Sequence, residues 1–81
     1  MSTLSALSDP VVQDVSFSEY SVCFDLADGR SISAPLEWFP RLRDANAEQR
    51  ANWELIGRGS GVHWPDVDED ISAAGLMGLP D

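Results

Sequence analysis

The sequence predicts an α+β domain: a three-stranded antiparallel meander, with room for a short fourth edge strand, packed against two or three short helices. Three observations lead there. Apolar residues alternate from Val11 to Leu26, an Asp28-Gly29 turn folds the chain back, and beyond Pro35 the apolar spacing changes from two residues to three or four. A meander with one bare apolar face needs a cover, and the helical half supplies it.

The first ten residues, MSTLSALSDP, are expected to form a flexible tail, and residues 11–81 a single domain. In VVQDVSF, Val11, Val15 and Phe17 share one face with Gln13 among them, while Asp14 and Ser16 take the other. SVCFDL alternates more cleanly, with Val22, Phe24 and Leu26 inward and Cys23 and Asp25 outward. Asp28-Gly29 signals a two-residue hairpin, because both central positions of such a turn favour positive φ. SISAPL returns as the third strand through Ile32.

Leu36, Phe39 and Leu42 then recur at helical spacing. Pro40 restricts Phe39 and limits this element to a short or broken helix. A better helix is expected over NAEQRANWELIG, with Asn46 as N-cap, Gln49 completing a capping box and Gly57 as the stop. Its inward stripe is Ala47, Ala51 and Leu55, joined by Ile56, and Glu54 pairs with Arg50 and Arg58 on the solvent side. GRGSG follows as a loop and VHW as a short edge strand that Pro65 ends. Asp70 or Ser72 caps a last short helix offering Ile71, Leu76 and Leu79 to the core.

An 81-residue chain buries roughly 60% of the surface its unfolded form exposes, which leaves little room for a deep cavity. Fourteen acids oppose five arginines, with no lysine, for a net charge of -9. Such a chain repels nucleic acid and anionic membranes and attracts basic protein surfaces, and the same charge serves solubility. One cysteine, Cys23, excludes an internal disulfide framework and points to a reducing cytoplasm. No apolar run approaches the roughly 18 residues of a membrane span, and the N-terminus lacks the pattern of a signal peptide.

The stretch GVHWPDVDEDIS, residues 61–72, concentrates four acids after a His-Trp-Pro turn. Asp66, Asp68 and Asp70 match the first ligand positions of a calcium-binding EF-hand loop. Its sixth and twelfth positions, which need Gly and Glu, hold Ile71 and Met77, so calcium is not expected. A general acid–base pair would need one carboxyl with a raised pKa, and these four lie in a run that looks solvated. Cys23 with His63 is a nucleophile–base pair only if the two strands bring them together, and nothing in sequence supplies an oxyanion hole. One His and one Cys are too few for zinc. GRGSG follows a helix and carries no lysine, unlike a phosphate-cradling loop. No catalytic residue, metal or cofactor is expected.

Charge is segregated along the chain. Residues 41–58 hold Arg41, Arg43, Arg50 and Arg58 against Asp44, Glu48 and Glu54, leaving +1, while the remainder has eleven acids and only Arg30, leaving -10. That arginine face offers little counterion release, so direct nucleic-acid binding by this domain is disfavoured.

The run from Pro35 to Ser72, preceded by LADGRSISA, resembles the bacterial family catalogued as DUF2442. The motifs are the turn Asp28–Arg30, Trp38-Phe39-Pro40-Arg41-Leu42, Gln49-Arg50-x-Asn52-Trp53, and Gly61-Val62-His63-Trp64-Pro65 followed by Asp68-Glu69-Asp70. The resemblance spans Val11 to Leu76. It implies a small α+β domain, in a family whose members often sit in gene pairs resembling toxin–antitoxin loci, and it carries over no catalytic residue. The shared motif suits a structural role as well as a functional one, since Trp38, Trp53 and Trp64 could build the core.

The expected function is a non-enzymatic, cytoplasmic protein-interaction module. Its acids, Asp66, Asp68, Glu69 and Asp70 with Asp25, Asp28 and Glu37, would occupy a basic or nucleic-acid-binding partner, and Trp64 would anchor the contact. The partner would be a toxin or a defence-complex subunit, making the chain an antitoxin or a phage-type anti-CRISPR inhibitor acting by DNA mimicry. Two alternatives stand beside it: a nucleic-acid-binding regulator using the Arg41–Arg58 face, and a small hydrolase using His63. An exposed sheet edge leaves a homodimer open.

Overall fold

Six strands form two three-stranded antiparallel sheets in the computed structural model of the chain, whose described residues are 10–78. β1 (Val12–Phe17), β2 (Ser21–Leu26) and β3 (Ser31–Pro35) make the first sheet in the order β1-β2-β3. A 3-10 turn (Leu36–Trp38), α1 (Pro40–Arg43) and α2 (Ala47–Ala51) follow. The second sheet, ordered β4-β5-β6, is built from β4 (Glu54–Ile56), β5 (Gly61–Trp64) and β6 (Glu69–Ser72), and α3 (Ala73–Leu76) comes after it. The α+β class and the meander match the expectation from sequence. VHW does not make a fourth edge strand: it is the centre of a second sheet.

Within β1, Val12 faces Leu26 and Asp14 faces Asp25, so Gln13 is an extra residue without a partner across the ladder. This β-bulge lets Val12 and Val15 both point inward, at 1% and 8% exposure, across a gap that strict alternation forbids. Val11, expected inside, is 41% exposed. The β2–β3 connection differs in detail too. Gly29 N–H donates to the Leu26 carbonyl and Leu26 N–H to the Arg30 carbonyl, closing a three-residue loop. Only Gly29 has positive φ there, at 97°, which is the loop form with one left-handed residue.

Phe39, at φ -130° and ψ 77°, separates the 3-10 turn from α1, and Pro40 starts α1 where its missing N–H costs nothing. Leu36 and Leu42 are buried on this broken element, with Phe39 packed partly against the core. At α2 the capping box is present: Gln49 N–H donates to Asn46 Oδ1 at 2.7 Å and Asn46 N–H to Gln49 Oε1 at 3.0 Å. The helix then stops at Ala51, and Glu54–Ile56 pairs with β5. No α2 residue is buried, and Leu55 is 43% exposed, so the Ala47–Ala51–Leu55 stripe is not a core face.

So short a helix does not persist on propensity alone. Arg50 ties it down: Nε donates to the Leu42 carbonyl at 3.0 Å and Nη2 to the Arg43 carbonyl at 2.9 Å. Those carbonyls close α1, where a helix leaves acceptors unpaired and favours a cation. The same guanidinium lies 5.2 Å from the Phe17 ring centroid. Glu54 pairs in register with His63 instead of serving Arg50 or Arg58.

The inner faces of the two sheets share one core. Trp64 is fully buried, edge-on to both Phe17 and Phe24 at 6.3 Å between ring centroids, and its Nε1–H donates to the Arg50 carbonyl at 3.0 Å. Val22, Val62 and Ile71 are buried in the same core. Val12 N–H also donates to the Gly59 carbonyl at 2.6 Å, joining β1 to the β4–β5 loop. Gly59 has φ 92°, and a Cβ there would stand 2.9 Å from the Val12 carbonyl oxygen. Ser72 caps α3 by accepting from Gly75 N–H, while Ile71 belongs to β6. Leu79 and residues 1–9 of the expected tail lie outside the described residues. Among the described residues no helix is long and apolar enough to cross a membrane.

Candidate partner-binding surface

The acids of the WPDVDED stretch occupy the β5–β6 turn and the first half of β6, and Ile71 behind them is pinned in the core. Asp66, Asp68 and Asp70 are exposed and Glu69 is half-buried. Each of the three exposed residues also has a local task. Asp66 accepts from Asn52 Nδ2–H at 3.0 Å. Asp68 takes a left-handed backbone, φ 53°, and its carbonyl accepts from Arg41 Nη1–H at 2.6 Å. Asp70 pairs with His63 Nδ1 across the β5–β6 ladder.

Asp25, Asp28 and Glu37 stand elsewhere. Asp25 is on the outer face of β2, directly opposite Asp14, and accepts from Ser31 Oγ–H at 3.0 Å. Asp28 occupies the β2–β3 loop, where the Arg30 backbone N–H and then its guanidinium hold the carboxyl below the usual range. Glu37, on the 3-10 turn, pairs with Arg43 at 3.1 Å. Arg43 also binds Asp44, which together with Glu37 raises its pKa. The seven acids singled out in the sequence are therefore spread over several elements, with α1 as a hub: Arg41 reaches the Asp66–Asp70 turn and Arg43 reaches Glu37.

Trp64 must be corrected. At 0% exposure it contacts no partner; alternation on β5 turns it inward with Val62. The aromatics on the surface are Trp38, 65% exposed, and Tyr20, 73% exposed. Sequence did carry a signal for Trp38, which falls off the Leu36–Phe39–Leu42 stripe. Tyr20 sits in the turn between β1 and β2, bracketed by Ser18 and Ser21.

His63 lies on the outer face of β5, level with Glu54 on β4 and Asp70 on β6. The Asp70 hydrogen bond raises its pKa, opposed by partial burial and aided by the charges of Asp70, Glu54 and Asp68. Cys23 is on the other sheet, between Ser16 and Ser33, so the fold does not bring it to His63. A groove of about 360 Å³ runs between β1 and α2, lined by Val15, Phe17, Ala47, Arg50, Ala51 and Trp53, with no carboxylate on its wall. Among the described residues no group of His, Cys, Asp and Glu could hold a metal ion. Arg41, Arg43 and Arg50 each donate at least one guanidinium N–H to an acceptor within the domain.

A family model described as a protein of unknown function, DUF2442, matches residues 12–79. The fold is similar to the crystal structure of a protein of unknown function from Rhodospirillum rubrum, with TM-score 0.73 and 29% identity over 89% of this chain and 90% of that one. It is also similar to the solution structure of an uncharacterized protein from Chromobacterium violaceum, with TM-score 0.73 and 24% identity over 94% of this chain and 71% of that one. No curated protein matches the chain.

Proposed function

Because the chain belongs to the DUF2442 family, whose function is unknown, its chemistry has to come from its own surface, and we propose that it is a non-enzymatic acidic module that binds and inhibits a basic or nucleic-acid-binding protein. One observation carries this. Every described carboxylate is at the surface, all of them exposed except half-buried Glu69, and no charged side chain among the described residues is buried. The described residues hold twelve acids against five arginines, and a surplus of seven negative charges displayed this way steers a cationic surface toward the domain and repels phosphate backbones. Where the partner surface ordinarily holds nucleic acid, these carboxylates compete with phosphates, as an antitoxin or a DNA-mimicking anti-CRISPR inhibitor would.

The test is capture from a native host lysate at low and high salt, with wild type beside Asp25→Asn/Asp28→Asn/Glu37→Gln/Asp68→Asn/Glu69→Gln. Capture of a basic protein, released by salt and weakened in the variant, is expected. The chain alone should not retard DNA or RNA in a gel. Equal capture by both proteins at every salt concentration rejects the proposal.

A further inference from the structure

We propose that the contact surface is centred on Tyr20 and Trp38, and that it takes cationic side chains, arginine above all, from a protein partner; this rests on the acidic-module reading and locates its anchor. The two aromatics sit on adjoining turns of fixed geometry. Ser18 and Ser21 close the Tyr20 turn, Ser18 N–H donating to the Ser21 carbonyl at 2.9 Å and Ser21 N–H to Ser18 Oγ at 3.2 Å. Leu36 N–H then donates to the Tyr20 carbonyl at 2.8 Å, fastening that turn to the 3-10 turn that carries Trp38. Leu36, two residues before Trp38, is anchored in the core. Both rings are thus held on backbone that does not have to reorganise on binding, the condition under which an aromatic contact retains most of its energy.

Among the described residues, neither ring takes part in a hydrogen bond or an aromatic contact. The chain leaves its Tyr and one of its three Trp mostly in water while Trp64 fills the core. Tyr, Trp and Arg dominate interface hot spots, so two such exposed rings on neighbouring turns mark a binding surface more specifically than acids do.

Charge selects the occupant. Glu19 adjoins Tyr20, Glu37 adjoins Trp38, and Glu37 is bridged through Arg43 to Asp44. Three carboxylates against one guanidinium leave the patch negative, and that guanidinium is already engaged. Aromatic faces edged by carboxylates bind cations twice over: the ring quadrupole attracts the charge and the carboxylate pairs with it. An arginine stacks on Trp38 or Tyr20 while hydrogen-bonding Glu37 or Glu19, a geometry lysine matches less well.

The experiment titrates the protein with an oligo-arginine peptide and, separately, an oligo-lysine peptide, following the three indole N–H resonances by NMR, with Trp38 assigned through Trp38→Phe. The Trp38 signal should move and the Trp64 signal stay. Tyr20→Ala/Trp38→Ala, which keeps the net charge, should weaken oligo-arginine binding about tenfold, and oligo-lysine binding less. Equal affinity of wild type and the double variant overturns the assignment. If Asp66→Asn/Asp68→Asn/Glu69→Gln/Asp70→Asn then weakens binding, the acidic module survives with a different surface; if no variant and no salt concentration alters it, both fail. A wild-type dimer in sedimentation that the double variant abolishes would also overturn the assignment, by making a second copy the occupant.

Discussion

Trp64 shows how one side chain can be misjudged from its neighbours in sequence. Beside a run of acids it resembles the aromatic rim of a site, yet strand alternation sends it to the centre of the core, against Phe17 and Phe24. Its indole N–H also satisfies the Arg50 carbonyl, so a single residue links the second sheet to α2 and, through Arg50, to the end of α1. Trp64→Ala should destabilise the domain by about 3–5 kcal/mol, a large share of the stability of a chain this small. Trp64→Phe keeps most of the packing but orphans that carbonyl, at a cost of about 1–3 kcal/mol. Urea denaturation of both variants measures the two contributions. If Trp64→Ala kept its midpoint, the core would not be organised around this ring.

At the level of elements, the first sheet was legible because β2 and β3 alternate, β1 alternates apart from its bulge, and the turns carry Gly or Ser. The capping box at Asn46 was legible for the same reason, being local chemistry. The second sheet was not. Its strands are three or four residues long, and Ala47, Ala51 and Leu55 mimic a helical stripe by coincidence of spacing. What marks β4–β6 as a sheet is a cross-strand row, Glu54–His63–Asp70, that no linear pattern displays. That row makes the second sheet respond to pH. His63 is raised above its ordinary pKa by Asp70, so its stabilisation is complete below about pH 6.5, the unfolded value, and fades as pH rises through the higher folded value. The melting temperature of wild type should therefore exceed that of Asp70→Asn most clearly near pH 6 and converge on it in mildly alkaline buffer. A gap that widened with pH would mean the pair is not ionic.

For the whole molecule, the surface that recommends it as a partner for cations also strains it, because -9 on 81 residues repels itself. Salt should act with opposite signs on the two properties: it should raise the melting temperature by screening self-repulsion, and weaken partner association. Thermal scans and binding titrations across one salt series check both, and a melting temperature that fell with salt would show that attraction dominates. The distribution of that charge was only half readable, since composition gives its size but not its spread over two sheets and a turn. One irregularity bears on how such a molecule stays single. Without Gln13, the sequence Val12-Asp14-Val15 would alternate without interruption and keep the same valines inside. The extra residue therefore contributes nothing to the interior; what it does is crumple the outer border of β1, which the Gly59 carbonyl covers only at Val12 and along which a foreign strand could otherwise zip. Removing Gln13 should yield a folded protein that associates with itself as its concentration rises, visible by light scattering, which would make this small kink a guard on solitude.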